Sequence, residues 1–264
     1  ANGQAVAGAA VLEVGTGRRL NLPISLWLQG AASVVSVDLN AYLRAELVHE
    51  DLRQIRDERD RVEALFGPAL RPERLQALVA LADDFQLDRL LATCAIRYAA
   101  PGDASALDLA EDSIDLHVSY EVLEHIPGPV LEAILREGNR VVRPGGLFVH
   151  RIDFSDHFAH ADPGISAINF LKFSDAQFHR LAGNRFMYMN RLRLDDFVEL
   201  YARSGHVLAE VLAAPDPDTL RLLEGHGLAV HDRFAGKSLQ TLATLAAWIC
   251  SRTAATADRT AGRP

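Results

Sequence analysis

Short apolar runs closed by turn residues recur along the chain, and stretches with apolar residues at helical spacing separate them. The first run, Ala9 to Leu12, carries a carboxylate at Glu13 and breaks into Gly15-Thr16-Gly17. Asn21 and Pro23 predict a helix start, with asparagine as cap and proline in the first turn. That helix runs to about Leu28 and ends at Gly30. Ser33-Val-Val-Ser-Val-Asp38 is rich in β-branched residues and reads as a strand ending in a second carboxylate. Strand, glycine turn, helix and strand make the βαβ unit of a parallel sheet.

Residues 40–92 have a different texture. Arg44 to Glu63 mixes both charge signs with Leu43, Leu47, Leu52, Ile55, Val62 and Leu65 at helical spacing, and Gly67-Pro68 breaks it. A second helical stretch holds Leu75, Leu78, Val79 and Ala82, and a third runs from Phe85 to Leu91. The pattern is that of a solvated helical insertion after the second strand, with a lid or dimerisation element as the alternative. Ala95 to Ala99 predicts a third strand, followed by a Pro-Gly-Asp103 turn, and Ile114 to Tyr120 alternates as a fourth. Pro129 opens a helix with Leu131, Ile134, Leu135, Val141 and Val142 on one face; Arg143-Pro-Gly-Gly146 stops it and Leu147 to Ile152 is a fifth strand. Leu194 to Arg203 is an amphipathic helix ended by Gly205. His206 to Ala213 and Ala243 to Arg252 read as two more strands, with a helix from Asp216 to Glu224 between them. The expected fold is a doubly wound, Rossmann-like α/β sheet in a single domain over residues 1–252, with a polar, flexible tail over 253–264.

Composition narrows the function. With 49% hydrophobic and 23% charged residues the chain can build a sizeable core, and its net charge of -8 argues against a broad nucleic-acid-binding surface. Cys94 and Cys250 are the only cysteines, far apart and outside any metal-ligand pattern, which predicts a reducing, cytoplasmic setting. The most apolar window, Leu20 to Val37, is interrupted by Pro23, Gln29 and Gly30, so no membrane span is expected. No signal peptide is visible, and the opening Ala1 leaves room for a natural N-terminus further upstream.

Several pieces then fall in a telling order: Glu13-x-Gly15-x-Gly17, Asp38, Asp103, Ser113-Ile-Asp-Leu-His-Val-Ser-Tyr-Glu-Val-Leu-Glu-His-Ile126 and Val141-Val-Arg-Pro-Gly-Gly146. Read singly, the glycines are a turn, Asp38 a solvated strand end and Asp103 a turn residue. Taken together they resemble the class I S-adenosylmethionine-dependent methyltransferases, in the branch that holds many small-molecule enzymes. The resemblance implies a seven-stranded sheet with an antiparallel last strand, which residues 243–252 could supply, and S-adenosyl-L-methionine as cofactor. It implies that Gly15 and Gly17, with Thr16 between them, approach the ribose and methionine part of the cofactor, and that Glu13 supports the loop or the methionine end. Asp38 would accept hydrogen bonds from both ribose hydroxyls, since a carboxylate offers two acceptor oxygens. Asp103 would bind the adenine amino group, and Ala104, Tyr120 and Glu121 complete the cofactor-binding set. Two departures stand out: Arg19 occupies the place of a frequent third glycine, and the helices that usually precede the first strand are absent. Ser119-Tyr-Glu-Val122 is neither the Asn/Asp-Pro-Pro-aromatic motif nor a Pro-Cys nucleophile, which speaks against methylation of nucleic-acid bases.

The acceptor side is expected in Arg151 to Arg193, an insertion after the fifth strand. It holds seven of the eighteen aromatics and six Lys/Arg against four Asp, a concentration that suits a pocket or lid and equally suits a small packed subdomain. Asp153, Asp156, His157 and His160 cluster at its start, and a hydroxyl acceptor needs a base. His157 or His160, oriented by Asp153, fills that role, with His125 as competitor. The spacing Asp-x-x-Asp-His-x-x-His is also compatible with metal ligands, but surface Asp and His are mostly structural, so no metal is assigned. Arg151, Arg191 and Arg193 either bind an acidic substrate group or are solvated charges.

The function expected is methyl transfer to a small-molecule acceptor, at oxygen with nitrogen or carbon as alternatives, without nucleic-acid or membrane partners and with a homodimer left open. The alternatives are an NAD(P)-dependent oxidoreductase, disfavoured because its fingerprint wants glycine where Leu20 stands, and a catalytically silent cofactor-binding partner.

Overall fold

The structure, a computed structural model, describes residues 5–184 and 188–254. Phe186 and Met187 of the aromatic insertion, and the tail from residue 255 on, lie outside the described residues. In chain order the elements are β1 (Ala10–Val14), α1 (Asn21–Leu28), β2 (Ser33–Val37), α2 (Ala45–Asp57), α3 (Arg59–Phe66), α4 (Pro72–Leu81), α5 (Leu87–Thr93), β3 (Ile96–Ala99) and β4 (Ile114–Tyr120). There follow α6 (Gly128–Val141), β5 (Val142–Asp153), α7 (Asp175–Ala182), α8 (Leu194–Arg203), β6 (His206–Pro215), α9 (Pro217–Glu224), α10 (Leu239–Ala243) and β7 (Thr244–Thr253). The strands form one seven-stranded sheet in the order β3-β2-β1-β4-β5-β7-β6. β6 and β7 are antiparallel to each other, while β1 pairs in parallel with β2 and β4, and β2 with β3. This is the expected α/β sheet.

The chain forms two compact units, one of residues up to Ser119 with Glu137–Phe148, the other of Tyr120–Arg136 with residues from Val149 on. In the first unit β1 is buried on both faces, as a strand flanked by parallel neighbours must be. Its register sets Val14 opposite Val37, and Val37 in turn opposite Ala99, so β1, β2 and β3 end together. Gly15 N–H donates to Val37 O (2.8 Å) and Asp38 N–H to Ala99 O (3.1 Å), tying the three ends into one edge. That edge carries the candidate ligand residues.

Some local expectations change. Asn21 is the first helical residue of α1, not its cap; Leu20 holds the cap position without a side-chain hydrogen bond. The charged insertion is less solvated than its composition suggests: Val48, Leu52, Leu75, Leu78, Leu81 and Leu90 are buried. Arg74 lies 4.9 Å over the Trp27 ring and donates to Trp27 O (2.6 Å) and Ala31 O (2.7 Å), which fixes α4 to α1. β4 alternates as expected, and its polar residues Asp115, His117 and Ser119 are buried along with the apolar ones. Asp115 accepts from Ala10 N–H (2.7 Å) and Arg143 (2.9 Å), and His117 stacks on Phe148 with centroids 5.0 Å apart. Arg143 to Gly146 lies within β5, which begins directly after α6.

In the second unit the aromatics of the insertion are chiefly core. Phe170, Phe178, Leu171, Ile168 and Met189 cluster with Leu223, Phe234 and Leu242. Phe154 is buried as well, whereas Phe158 is exposed. Arg191 and Arg193, expected as substrate ligands or solvated charges, are neither: both are buried. Arg191 donates to Phe170 O (2.9 Å), Phe173 O (2.7 Å) and Asp175. Arg193 donates to the carbonyls of Phe154, Leu242 (2.9 Å) and Thr244. Buried guanidinium groups are tolerated when most of their donors are paired, and here their terminal nitrogens bind backbone carbonyls of separate segments.

Candidate active site

The first unit brings Glu13, Thr16, Gly17 and Asp38 together. Gly15 and Gly17 have φ of +86° and +69°, left-handed values that favour glycine, and a Cβ on Gly17 would meet nothing within 4 Å. The loop therefore exposes bare backbone to open space. Asp38 holds it: its Oδ2 accepts from Gly17 N–H (2.9 Å) and its Oδ1 from Asn40 N–H (3.1 Å). Each carboxylate oxygen can accept a further bond, so two vicinal hydroxyls remain within its capacity. Glu13 is buried beneath the loop; the Ser36 hydroxyl donates to it and is itself hydrogen-bonded to the Thr16 hydroxyl. Gly102 N–H donates to Asp38 O (2.8 Å), which brings the Asp103–Ala104 turn to the same edge. Asp103 is exposed, and its Oδ1 accepts from the N–H (2.8 Å) and hydroxyl (2.6 Å) of Ser105, which holds its carboxyl below the usual range; Ala104 is buried.

Burial pushes the Glu13 carboxyl up to about 7, the Ser36 hydroxyl working against this and the Asp38 charge with it. The folded state thus keeps a proton that the unfolded chain has released, and stability present below about pH 4.5 is lost as pH rises through about 7. The loss is on the order of 3 kcal/mol for a shift of this size. Glu13→Gln, which cannot ionise, is expected to remove this share of the slope. Urea-denaturation midpoints of both proteins at pH 5 and pH 8 check it, and equal slopes would count against the assignment.

The second unit gathers Asp153, His157, His160 and His125, as the sequence suggested. Asp153 Oδ2 lies 3.4 Å from His157 Nε2 and 3.8 Å from His160 Nε2, and its Oδ1 accepts from Ser155 N–H (2.7 Å). Burial would raise its carboxyl, but His157 and Ser155 beside it outweigh that and hold it at about 2. His160 Nε2 also bonds Ser155 Oγ (2.9 Å). The three imidazoles form a row, with His125 and His157 centroids 4.9 Å apart and His157 and His160 4.9 Å apart. Burial holds His125 below the usual histidine range, and its Nδ1 lies 2.9 Å from Tyr188 O. Asp156 does not join them; it accepts from Phe158 N–H (3.0 Å) and caps the turn His157–His160. Tyr120 and Glu121 meet Arg151, whose guanidinium lies 5.5 Å over the Tyr120 ring and 3.4 Å from Glu121, with Trp248 edge-on to Tyr120 at 5.9 Å.

Glu124 was not singled out from sequence. It is 2% exposed, and neither of its carboxyl oxygens has a hydrogen-bond partner among the described residues. Burial pushes it up to about 8, aided by the charges of Asp153 and Glu121 and opposed by its own amide and that of Asp153. The available signal was its place beside His125, three residues after Glu121.

A family described as "Methyltransferase domain" matches residues 76–150. The fold matches an S-adenosylmethionine-dependent methyltransferase from Mesorhizobium loti, 16% identical, with TM-score 0.50 over 94% of this chain and 93% of that one. It also matches geranyl diphosphate C-methyltransferase from Streptomyces coelicolor A3(2), solved with Mg2+, geranyl diphosphate and S-adenosyl-L-homocysteine. That protein is 14% identical, with TM-score 0.52 over 95% of this chain and 74% of that one. No curated protein of similar sequence was found. Residues 76–150 thus match a methyltransferase domain, and the fold is the one these S-adenosylmethionine-dependent methyltransferases share. Among the described residues, no helix is long and apolar enough to cross a membrane.

Proposed function

We propose that this protein transfers the methyl group of S-adenosylmethionine to an oxygen of a small molecule in the cytoplasm. The observation that carries the donor assignment is the open Gly15–Gly17 backbone tied to Asp38 at the joint end of parallel strands. A ligand at such an edge is the rule in open α/β sheets. The sequence match and the product-bound Streptomyces neighbour support the same donor. Displacement at a sulfonium carbon needs alignment above all, and holding donor and acceptor in place can contribute roughly 7–11 kcal/mol.

A hydroxyl acceptor must also lose its proton. His160, with 58% of its side chain exposed, is the accessible ring of the histidine row and is assigned as the group that takes it, with Ser155 and Asp153 orienting it. The basic surroundings are spent elsewhere, since Arg191 and Arg193 bind carbonyls, which favours a neutral hydroxylated acceptor over an acidic one.

Calorimetric titration of the intact protein tests the donor. S-adenosylmethionine and its demethylated product are expected to bind one to one and NADH not to bind, whereas binding of NADH alone would overturn the reading in favour of an oxidoreductase. For the acceptor, hydroxylated compounds are screened with methyl-tritiated donor. His160→Asn is expected to lower kcat about 100-fold or more with donor affinity unchanged; unchanged kcat would remove His160 from the mechanism.

A further inference from the structure

Glu124, His125 and His157 each offer one ligand atom, and these atoms all lie within 4.8 Å of one another. We propose that these three residues form a binding site for a divalent transition-metal ion. The site is built by two short elements of the second unit. Glu124 and His125 sit on the turn Leu123–His125, and His157 opens the turn His157–His160 after β5.

The buried carboxyl of Glu124 is what points to a ligand. A carboxyl removed from water without a hydrogen-bond partner is costly in either protonation state, and proteins rarely leave one so. A cation between Glu124 and the two rings supplies the partner that the protein itself does not. His125 is prepared for this role. With its Nδ1 donating to Tyr188 O, the lone pair stands on Nε2, and such a carbonyl commonly orients a ligating histidine. Asn190 braces the turn beneath: its side chain donates to Leu123 O (2.8 Å) and Ile126 O (2.9 Å), and its N–H to Glu124 O (2.8 Å). Asp153 Oδ2 lies 3.4 Å from His157 Nε2 and attracts the second ring by its charge.

Two imidazoles and one carboxylate select the class of ion. Imidazole suits Zn2+, Co2+, Fe2+ and Ni2+ better than Mg2+ or Ca2+, and three protein ligands leave positions open for oxygen donors. What the ion would do there rests on the methyltransferase reading: it would make an acceptor hydroxyl give its proton to His160 more readily, before the O–C bond forms and the S–C bond breaks with its electron pair left on sulfur.

The site is tested without donor or acceptor. Intact protein stripped with chelator is titrated calorimetrically with Co2+, Zn2+ and Mg2+, and the Co2+ absorption spectrum is recorded. One Co2+ or Zn2+ per chain, at least about tenfold tighter than Mg2+ and with visible Co2+ ligand-field bands, is the expected result. Glu124→Gln and His157→Asn are each expected to weaken Co2+ about 100-fold or more; either one suffices if the other fails to fold. No saturable binding, equal affinity for Mg2+, or Co2+ affinity untouched by both substitutions overturns the proposal. A protein that binds Co2+ but no S-adenosylmethionine would keep this site and lose the methyltransferase reading.

Discussion

Arg193→Ala is expected to destabilise the protein by about 3–5 kcal/mol, the scale for leaving partners of a buried charge unpaired. Burial lowers the guanidinium only to about 10, so it is charged at neutral pH, and it lies 5.3 Å over the Phe154 ring. Its three acceptors come from the end of β5, the end of α10 and the start of β7, so one side chain ties three segments together. Alanine leaves three buried carbonyls without their donor and a void where the stem was, and each unsatisfied group costs about 1–3 kcal/mol. Arg193→Lys restores the charge but not the planar fork, so it should recover only part of the loss. Urea denaturation followed by circular dichroism reads the effect. Arg203→Ala is the control: that arginine pairs with Glu132 and Glu199 on the surface, and its loss should leave the midpoint in place. A wild-type midpoint for Arg193→Ala would show that the carbonyl clamp contributes nothing.

Asp38→Ala should weaken S-adenosylmethionine about 100-fold or more. Two effects combine. The ligand loses a carboxylate acceptor, and charge-assisted hydrogen bonds are worth about 1.5–3 kcal/mol each. The loop loses the group that holds Gly17 and Asn40 in place, so the site must be ordered at the expense of binding. Asp38→Asn separates the two, because its amide oxygen can still take one backbone N–H while the charge is gone. Calorimetric titration of both variants, with thermal melts to verify folding, is expected to rank wild type above Asn and Asn above Ala. Equal affinities across the three would remove Asp38 from the donor site.

The sheet was legible because its strands are short β-branched or apolar runs closed by Gly, Asp or Pro, and because hydrophobic periodicity is a local signal. β4 and α8 have the predicted limits, and the strand ends at Val14, Val37 and Ala99 fall where the turn residues promised. α7 and α10 were not read: they are short, and their start signals, Ser174 and Ser238, look like ordinary loop serines until the N–H groups they cap are seen. Burial of polar residues was the least legible property. Nothing local in the sequence distinguishes Arg191 and Arg193 from Arg151, yet two are interior clamps and the third bridges Tyr120, Glu121 and Trp248 on the surface side of β7. His157 and His160 were found because they lie close to Asp153 in sequence, and His125 because it follows the fourth strand, whereas Glu124 joins them only through the fold.

The central claim is that the Gly15–Gly17 loop and Asp38 hold the methyl donor. The most direct measurement is a crystal structure of the protein with S-adenosyl-L-homocysteine. The ribose hydroxyls are predicted on the Asp38 carboxylate, with the methionine part lying along the Gly15–Gly17 backbone; product bound elsewhere, or a loop left empty at saturating product, would contradict the account.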